Sequence, residues 1–539
     1  MSATNVELIN REPIPRDEAK SIFDAIASND SKGVLLVATA GSGKSCIFAQ
    51  VIERLRDQTI PCLAIKLDSI PECNSSRQLG NELGLTESPV TTLADMAHGE
   101  ASVLIIDQLD SISTVSGRKT NTWLAFEEVR REVAAIPGMK LIVACRDFDL
   151  QQDQRLRPLG DSKSGFTKVV VNLLTDDQIR KSLDAAKLEH FVPTPQQFKI
   201  LSLPFHLVLF LQGYPELPFH RIGDLYERYW DRKRADLRSQ YGDDSEWHEV
   251  IKALSQCMSD HQATYAPRDV VDQWARTAEH MVSIHVLVDT GRDYRFFHES
   301  FFDYAFARSF CRTGESLHQF LTRPAEDQQL FRRAQVRQIM GYRRESRRED
   351  YLRDLRELLA SSQIRFHIKR MVAAELHRIP DPKPDEWAIV EPYVLDTDLS
   401  PAVSNALRGH EGWFDLLLDV GVWSKWLSSG DAILVNAAIW FLEDGNLHKT
   451  RSKAIAGLLA KYVNAGEVWD LRLKRVLSWG VAHHSNEMTQ IYFEMIRRGC
   501  YDEGEKRPSG GDFWGSHYGA EKDNPRFIID LVRCWLEHA

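Results

Sequence analysis

Two hydrophobic periods alternate along the first third of the chain. Short, mostly apolar runs fall at Val34–Val37, Cys62–Leu67, Val103–Ile106, Lys140–Cys145 and Val169–Leu173, and each reads as a strand of a parallel sheet. Between them the apolar positions recur three and four residues apart, as at Ile47, Phe48, Val51, Ile52 and Leu55, the spacing of a helix laid on a sheet. Further helices are expected over Arg16–Ala27 and Thr122–Ala135. Strand alternating with helix predicts a five-stranded α/β core that closes near Thr175, with Asp176 and Asp177 capping the next helix.

Beyond that point the helical period takes over. Residues 177–238 read as helices, one of them opened by Pro204 and another spanning Leu225–Arg234 with an amphipathic pattern. Between Glu246 and Phe310 two helices lead into a strand pair, Ile284–Val288 and Tyr294–Phe297, turned by Asp289-Thr290-Gly291-Arg292; this predicts a small winged helix. From Leu317 onward helix follows helix: Gln363–Arg378, Pro401–Leu407, Ala432–Leu442, Lys453–Val463, Leu471–Val481 and Met488–Arg498. A spacing of about 20 residues per helix predicts an α-solenoid of HEAT or armadillo type. Lys506–Asn524 reads as a long loop, and the last helix, Arg526–Glu537, lacks a polar capping face, so a fragment or a partner at that end is expected. The expected domains are a lead-in over 1–30, the α/β domain over 31–175, a helical domain over 176–240, the winged helix over 241–312 and the solenoid over 313–539.

Composition changes this picture little. At 539 residues, several domains are required. The net charge of −10 argues against a generic affinity for nucleic acid or an anionic membrane. No apolar run reaches the roughly 18 residues of a membrane span, and no signal-peptide pattern opens the chain, so a cytoplasmic location away from the membrane is expected. The eight cysteines show no CxxC pairing, which suits free thiols, and His483-His484 has no acid or cysteine at ligand spacing. The arginines between Phe331 and Arg356 interleave with Glu345, Glu349, Asp350, Asp354 and Glu357; a salt-bridged helix face is expected there, a ligand or nucleic-acid contact being the alternative. Of the later tryptophans (Trp413, Trp423, Trp426, Trp440, Trp469, Trp479, Trp514), most are expected in the core between repeats, with one or two exposed ones marking a partner surface as the alternative.

The candidate chemistry lies where the first strand meets its helix. Ala38-Thr39-Ala40-Gly41-Ser42-Gly43-Lys44-Ser45 fits the GxxxxGK[ST] phosphate-binding loop with alanine at the first glycine, and Cys46 continues into the helix. Gly41 and Gly43 let backbone N–H groups curl around a phosphate, and the helix N-terminus adds partial positive charge. Lys44 is placed to reach β- and γ-phosphates and Ser45 to bind Mg2+. Asp107, ending an apolar strand at its ligand-facing end, is placed to hold Mg2+ directly or through water, and Asp110 can orient or deprotonate the attacking water. Arg146, at the end of the next strand, can report a γ-phosphate; alternatively it is a surface arginine paired with Asp147 or Asp149. Pro204 is either a simple first-turn proline or a helix start laid against adenine. With no NKxD segment to read guanine, ATP is expected over GTP, so the chain is expected to be an ATPase.

Taken together, Ala38–Ser45, Leu104–Asp110, Ile142–Arg146, Pro204 and Phe297–Ala307 resemble the STAND-class signalling NTPases, in particular the NACHT-like group, over roughly residues 30–312. Phe297-His298-Glu299-Ser300-Phe301-Phe302-Asp303-Tyr304 is similar to that group's aromatic-x-His-x-Ser/Thr-Phe-x-Glu-Tyr/Phe pattern. The resemblance implies that His298 contacts the β-phosphate of ADP in a closed state and that Pro204 packs near adenine; without it, His298 reads as a core histidine in an aromatic cluster. Ser111 stands where the family carries an acid after the Walker B strand, which implies hydrolysis that is slow and regulatory or rests on Asp110 alone, and Ala144-Cys145 stands where the family carries Thr-Ser before the sensor. The implied function is an ATP/ADP-operated switch, of the kind used in antiviral or stress defence. Its solenoid would sense a protein or ligand trigger, and activation would permit homo-oligomerisation. The alternatives are a steadily hydrolysing remodelling or loading ATPase acting on nucleic acid or protein, and a scaffold with a vestigial loop.

Overall fold

The apolar runs form five parallel strands: β1 (Gly33–Ala38), β2 (Cys62–Lys66), β3 (Ser102–Asp107), β4 (Met139–Arg146) and β5 (Phe166–Val170). This computed structural model describes residues 14–28, 31–39, 41–114, 119–161, 163–213, 215, 218–324, 326–395, 397–462, 476, 486–497 and 525–538. The described chain divides into two units, Met1–Glu315 with Gln329–Tyr342, and Ser316–Gln328 with Arg343–Ala539. Among the described residues no helix is long and apolar enough to cross a membrane.

In the first unit the strands lie in the order β2-β3-β4-β1-β5. β1 and β3 are buried along their whole length, whereas the edge strands β2 and β5 are partly exposed, as the position of each strand in the sheet dictates. Successive side chains turn to opposite faces. Leu35, Val37, Leu104 and Ile106 pack with α4 (Pro89–Ala97) and α5 (Thr122–Ala135), joined by the short α3 (Ser76–Glu82). Val34, Leu36, Val103 and Ile105 pack with Ile22 of α1 (Asp17–Ala27) and with Ile47, Val51 and Leu55 of α2 (Lys44–Asp57). The segment expected as a polar lead-in therefore supplies a core helix.

Two local differences from the sequence pattern have clear causes. The last strand is expected over 169–173 but ends at Val170, because the buried Arg16–Glu18 pair claims the backbone of Asn172: Glu18 Oε1 accepts from its N–H at 2.8 Å and Arg16 donates to its carbonyl at 2.5 Å. The next helix, α7 (Asp176–Ala185), follows α6 (Asp147–Gln152) and is capped by Thr175 in a reciprocal box with Gln178, not by the aspartates, which sit in its first turn where the helix dipole favours them.

The rest of the first unit is built from α8 (Pro195–Leu201), α9 (Pro204–Gln212), α10 (Ile222–Tyr241), α11 (Trp247–Asp260), α12 (Ala275–Ser283) and α13 (Glu299–Phe310), with β6 (Ala266–Pro267), β7 (Leu287–Asp289) and β8 (Asp293–Phe296) in the antiparallel order β6-β8-β7. The strand expected from Ile284 starts three residues late. Ile284 still closes onto the end of α12, and His285 takes a left-handed backbone (φ 62°) that no strand accommodates. Aromatic side chains fill this core; Trp230 meets Trp247 edge-on at 5.3 Å, and Tyr226 stacks on Tyr304 at 4.8 Å.

The second unit holds α14 (Leu317–Leu321). The helix α15 (Phe331–Ser346) carries the chain from one unit into the other, and the second unit continues through α16 (Arg348–Ala360), α17 (Phe366–Glu375), α18 (Pro384–Val390), α19 (Ser400–Leu407), α20 (Glu411–Asp419), α21 (Val422–Ser428), α22 (Ala432–Leu442), α23 (Gly445–Leu459), α24 (Asn486–Arg497) and α25 (Pro525–His538). Each packs on helices close to it in sequence, α16 on α17 and α18, α17 on α19, α20 on α21, α21 on α22, α23 on α24 and α24 on α25. Trp413, Trp423 and Trp426 are buried, while Trp440 is half-buried under Arg408, whose guanidinium lies 4.3 Å from the ring centre. Trp469, Trp479, Trp514, His483-His484, all but Val476 of the helix expected at Leu471–Val481, and the loop expected at Lys506–Asn524 lie outside the described residues. The arginine-rich stretch makes some pairs along its own helix, such as Arg353–Asp350 at 3.0 Å. Its stronger pairs reach α18: Glu386 meets Arg344 at 2.7 Å and Arg348 at 2.8 Å.

Candidate functional site

β1 ends at Ala38, and the chain then turns through a loop whose conformation only glycine adopts readily. Gly41 has φ +75° and Gly43 φ +89°. The Ser42 hydroxyl closes the turn by donating to the Thr39 carbonyl at 2.7 Å. Lys44 is the first residue of α2, and Gly43, as its N-cap, offers no side chain to the first-turn N–H groups. A partially positive helix end thus faces out of the loop. Ala40 lies outside the described residues. Ser45 and Cys46 continue the first turn, half-buried, and Cys46 Sγ accepts from Gln50 at 3.5 Å.

The start of α9 rests on this loop. The Phe205 N–H donates to the Gly41 carbonyl at 3.2 Å; a Cβ on Gly41 would lie 3.2 Å from Phe205 Cβ, and one on Gly43 would lie 3.5 Å from Pro204 Cγ. Pro204 is the first residue of its helix and also lies against the loop backbone.

Strand order brings the remaining residues together. β4 lies between β1 and β3, and in its register Arg146 pairs with Ala38, so the arginine emerges between the glycine loop and the end of β3. Asp107 ends β3 and is buried. Its Oδ1 accepts the Gln108 N–H at 2.8 Å, with Gln108 held in a left-handed turn. Burial pushes the Asp107 carboxyl up, while nearby Lys44 works in the opposite direction. Asp110, in the following turn, is also buried: its Oδ2 lies 2.9 Å from Arg146 Nε, and its Oδ1 has no hydrogen-bond partner. Arg146 Nη2 donates to Glu299 Oε2 at 2.6 Å. Its ion pairs are therefore with Asp110 and Glu299 rather than with Asp147 or Asp149, and the two carboxylates, Glu299 foremost, hold the guanidinium protonated even more firmly than usual.

His298 stands between these elements. Its ring stacks on Phe205 at 3.6 Å, and its Nδ1 caps α13 by accepting the Ser300 N–H at 3.1 Å. Burial pushes its pKa down to about 4, against the pull of Glu299. A neutral ring in the folded chain and a titrating one in the unfolded chain, near pH 6.5, mean that the unfolded state binds the extra proton between these values. Stability present above pH 6.5 is therefore lost as the pH falls toward 4, each unit of the shift being worth about 1.4 kcal/mol. His298→Asn keeps a capping acceptor without the titration, and is expected to reduce the drop in melting temperature between pH 7 and pH 5. Scanning calorimetry at the two pH values checks this.

The sequence pattern singles out Lys44, Ser45, Asp107, Asp110, Arg146, Pro204 and His298, and all of these gather at one end of the sheet. It does not single out Glu299, whose only local signal is an acid at the start of a helix beside a histidine. It also passes over Arg16 and Glu18, where a buried opposite pair ties the loop before α1 to the end of β5; the Arg16 N–H further donates to Gln50 of α2 at 3.1 Å. Among the described residues no group of three or more His, Cys, Asp or Glu is arranged to hold a metal ion, so Mg2+ here would depend on phosphate oxygens and water beyond Ser45 and Asp107.

A parallel sheet of this order, with a glycine loop feeding a helix from its inner strand, is the fold of a P-loop NTPase. No family model and no curated protein matches the chain. Solved structures similar to parts of it include AMPPCP-bound DnaA from Aquifex aeolicus, 14% identical over 49% of this chain and 84% of that one (TM-score 0.27). The Aeropyrum pernix ORC1 protein in complex with DNA is 12% identical over 57% and 97% (TM-score 0.28), and the Thermotoga maritima RuvB Holliday junction branch migration motor is 13% identical over 54% and 96% (TM-score 0.25). Likeness at that level carries no functional argument; the site's own residues do.

Proposed function

We propose that this chain is an ATP/ADP-operated switch of the STAND type, NACHT-like in its α/β, helical and winged-helix modules, with a helical-repeat sensor in the second unit. The observation that carries the reading is Arg146, which joins Asp110, beside the end of β3, to Glu299, the first residue of α13. A residue placed to meet a γ-phosphate is thereby tied to the module whose His298 stacks on the helix covering the phosphate loop. Lys44 and the loop N–H groups bind the phosphates. Mg2+ would be held by Ser45 and Asp107 and would neutralise charge on the phosphate oxygens. The unpartnered Oδ1 of Asp110 takes the proton of the attacking water as its oxygen bonds to the γ-phosphorus and the β,γ-bridge breaks, with ADP leaving. Pro204 and His298 hold the nucleotide in the closed form, and a protein or ligand trigger on the repeats shifts the population to an open, ATP-bound and oligomerising form.

The protein purified without added nucleotide and then denatured is expected to release near-stoichiometric ADP, and a Lys44→Ala variant little. An empty wild-type site with brisk turnover would instead favour a motor acting on nucleic acid or protein, a reading that the net charge of −10 does not favour for nucleic acid.

A further inference from the structure

We propose that Glu299 sets the preference of this site for a diphosphate over a triphosphate by occupying Arg146, an inference that rests on the nucleotide reading above. Two carboxylates bracket one guanidinium: Asp110 at 2.9 Å on Nε and Glu299 at 2.6 Å on Nη2. The cluster of three already carries a surplus negative charge, so a γ-phosphate approaching Arg146 meets repulsion until one carboxylate leaves.

The two are not equally free to leave. The Asp110 side chain is 7% exposed and fixed in a tight turn after β3, whereas that of Glu299 is 34% exposed at the end of a helix. An ion pair as open to water as Arg146–Glu299 is cheap to break. Glu299 is the partner that yields. An ADP molecule lacks the phosphate that competes for Arg146 and leaves the pair intact, so the triphosphate alone works against it. Glu299 follows His298, whose ring lies on Phe205, and Phe205 is hydrogen-bonded to Gly41. Displacing Glu299 therefore loosens α13 at the point where it meets the helix covering the loop.

The test is the ratio of affinities for ADP and for the non-hydrolysable triphosphate AMPPNP, by calorimetry with Mg2+ present, in the wild type, Glu299→Gln, Glu299→Ala, Arg146→Gln and the Arg146→Gln/Glu299→Gln double variant. Removing the competing charge is expected to tighten AMPPNP by about five- to tenfold while moving ADP by less than about twofold. In the Arg146→Gln background the Glu299 change is expected to do nothing to the ratio. A variant that folds poorly binds both nucleotides less well and leaves the ratio alone, so an unchanged ratio in Glu299→Gln and Glu299→Ala, or an equal shift of both nucleotides, overturns the proposal while wild-type ADP binding keeps the nucleotide reading. A wild type that binds neither nucleotide overturns both.

Discussion

Asp107→Asn is expected to lower ATP turnover at least a hundredfold while ADP stays bound and the fold grows no less stable. The physical grounds are local. Asn has the size of Asp, and its Oδ1 can accept the Gln108 N–H that Asp107 accepts at 2.8 Å, so the left-handed turn after β3 survives. The negative charge is what disappears. Lewis-acid stabilisation of a phosphoryl transition state is worth several kcal/mol, and each 1.36 kcal/mol is tenfold in rate, so losing the acid proposed to hold the ion is expected to cost a factor of about a hundred or more. In the proposed site ADP is held by Lys44 and the loop backbone, so its binding is expected to change little. The stability sign follows from burial, which raises the Asp107 carboxyl above its ordinary range; the charged form is the disfavoured one in the folded chain, and replacing it with a neutral amide relieves that penalty. Single-turnover phosphate release, ADP titration and a thermal melt separate the three effects. Turnover within tenfold of wild type would remove Asp107 from the hydrolytic site.

The chain reveals in advance what depends on local pattern and conceals what depends on a distant partner. Gly41, Gly43 and Lys44 are visible because a phosphate loop needs them at fixed spacing, and Asp107 because a buried strand ending in an acid is conspicuous. α5 spans Thr122–Ala135, as its apolar period predicts. β5 ends at Val170 because Glu18 and Arg16, far away in sequence, take the backbone of Asn172. Arg344 and Arg348 invite pairing with the acids interleaved beside them, yet both meet Glu386 on α18, which no helical spacing rule reaches. Glu299 is hidden for the same reason: its role exists only once β4 and α13 bring it to Arg146. The His298 motif is legible, but its stacking on Phe205 and its capping of α13 are properties of packing.

Arg343→Met is expected to cost the second unit about 3–5 kcal/mol, the largest single loss of stability anticipated in this chain. Arg343 and Asp354 are paired, and both side chains are fully buried. Asp354 also accepts the Leu317 N–H at 3.0 Å and so fastens the start of α14 to α16. Taking two charges out of water is expensive, and the pair holds because each offsets the other; with the arginine gone, the buried carboxylate keeps only the longer contact to Arg353, at 3.9 Å, and stays poorly compensated in the core or must take up a proton. Burial already pushes the Asp354 carboxyl up, with Arg343 the chief opposing charge, so the variant would drive it further in that direction. Arg343→Met/Asp354→Asn tests the cause. Asn keeps the acceptor for Leu317 and removes the charge, so the double variant is expected to recover most of the loss. At about 2–4 °C per kcal/mol for a unit of this size, the single change is expected to lower the melting temperature by roughly 10 °C and the double change by only a few degrees. Equal losses in both would mean that packing around the arginine, rather than the stranded charge, holds the helices together. An unchanged melt in the single variant would release this arginine from a structural role and return the stretch to candidacy as a ligand surface.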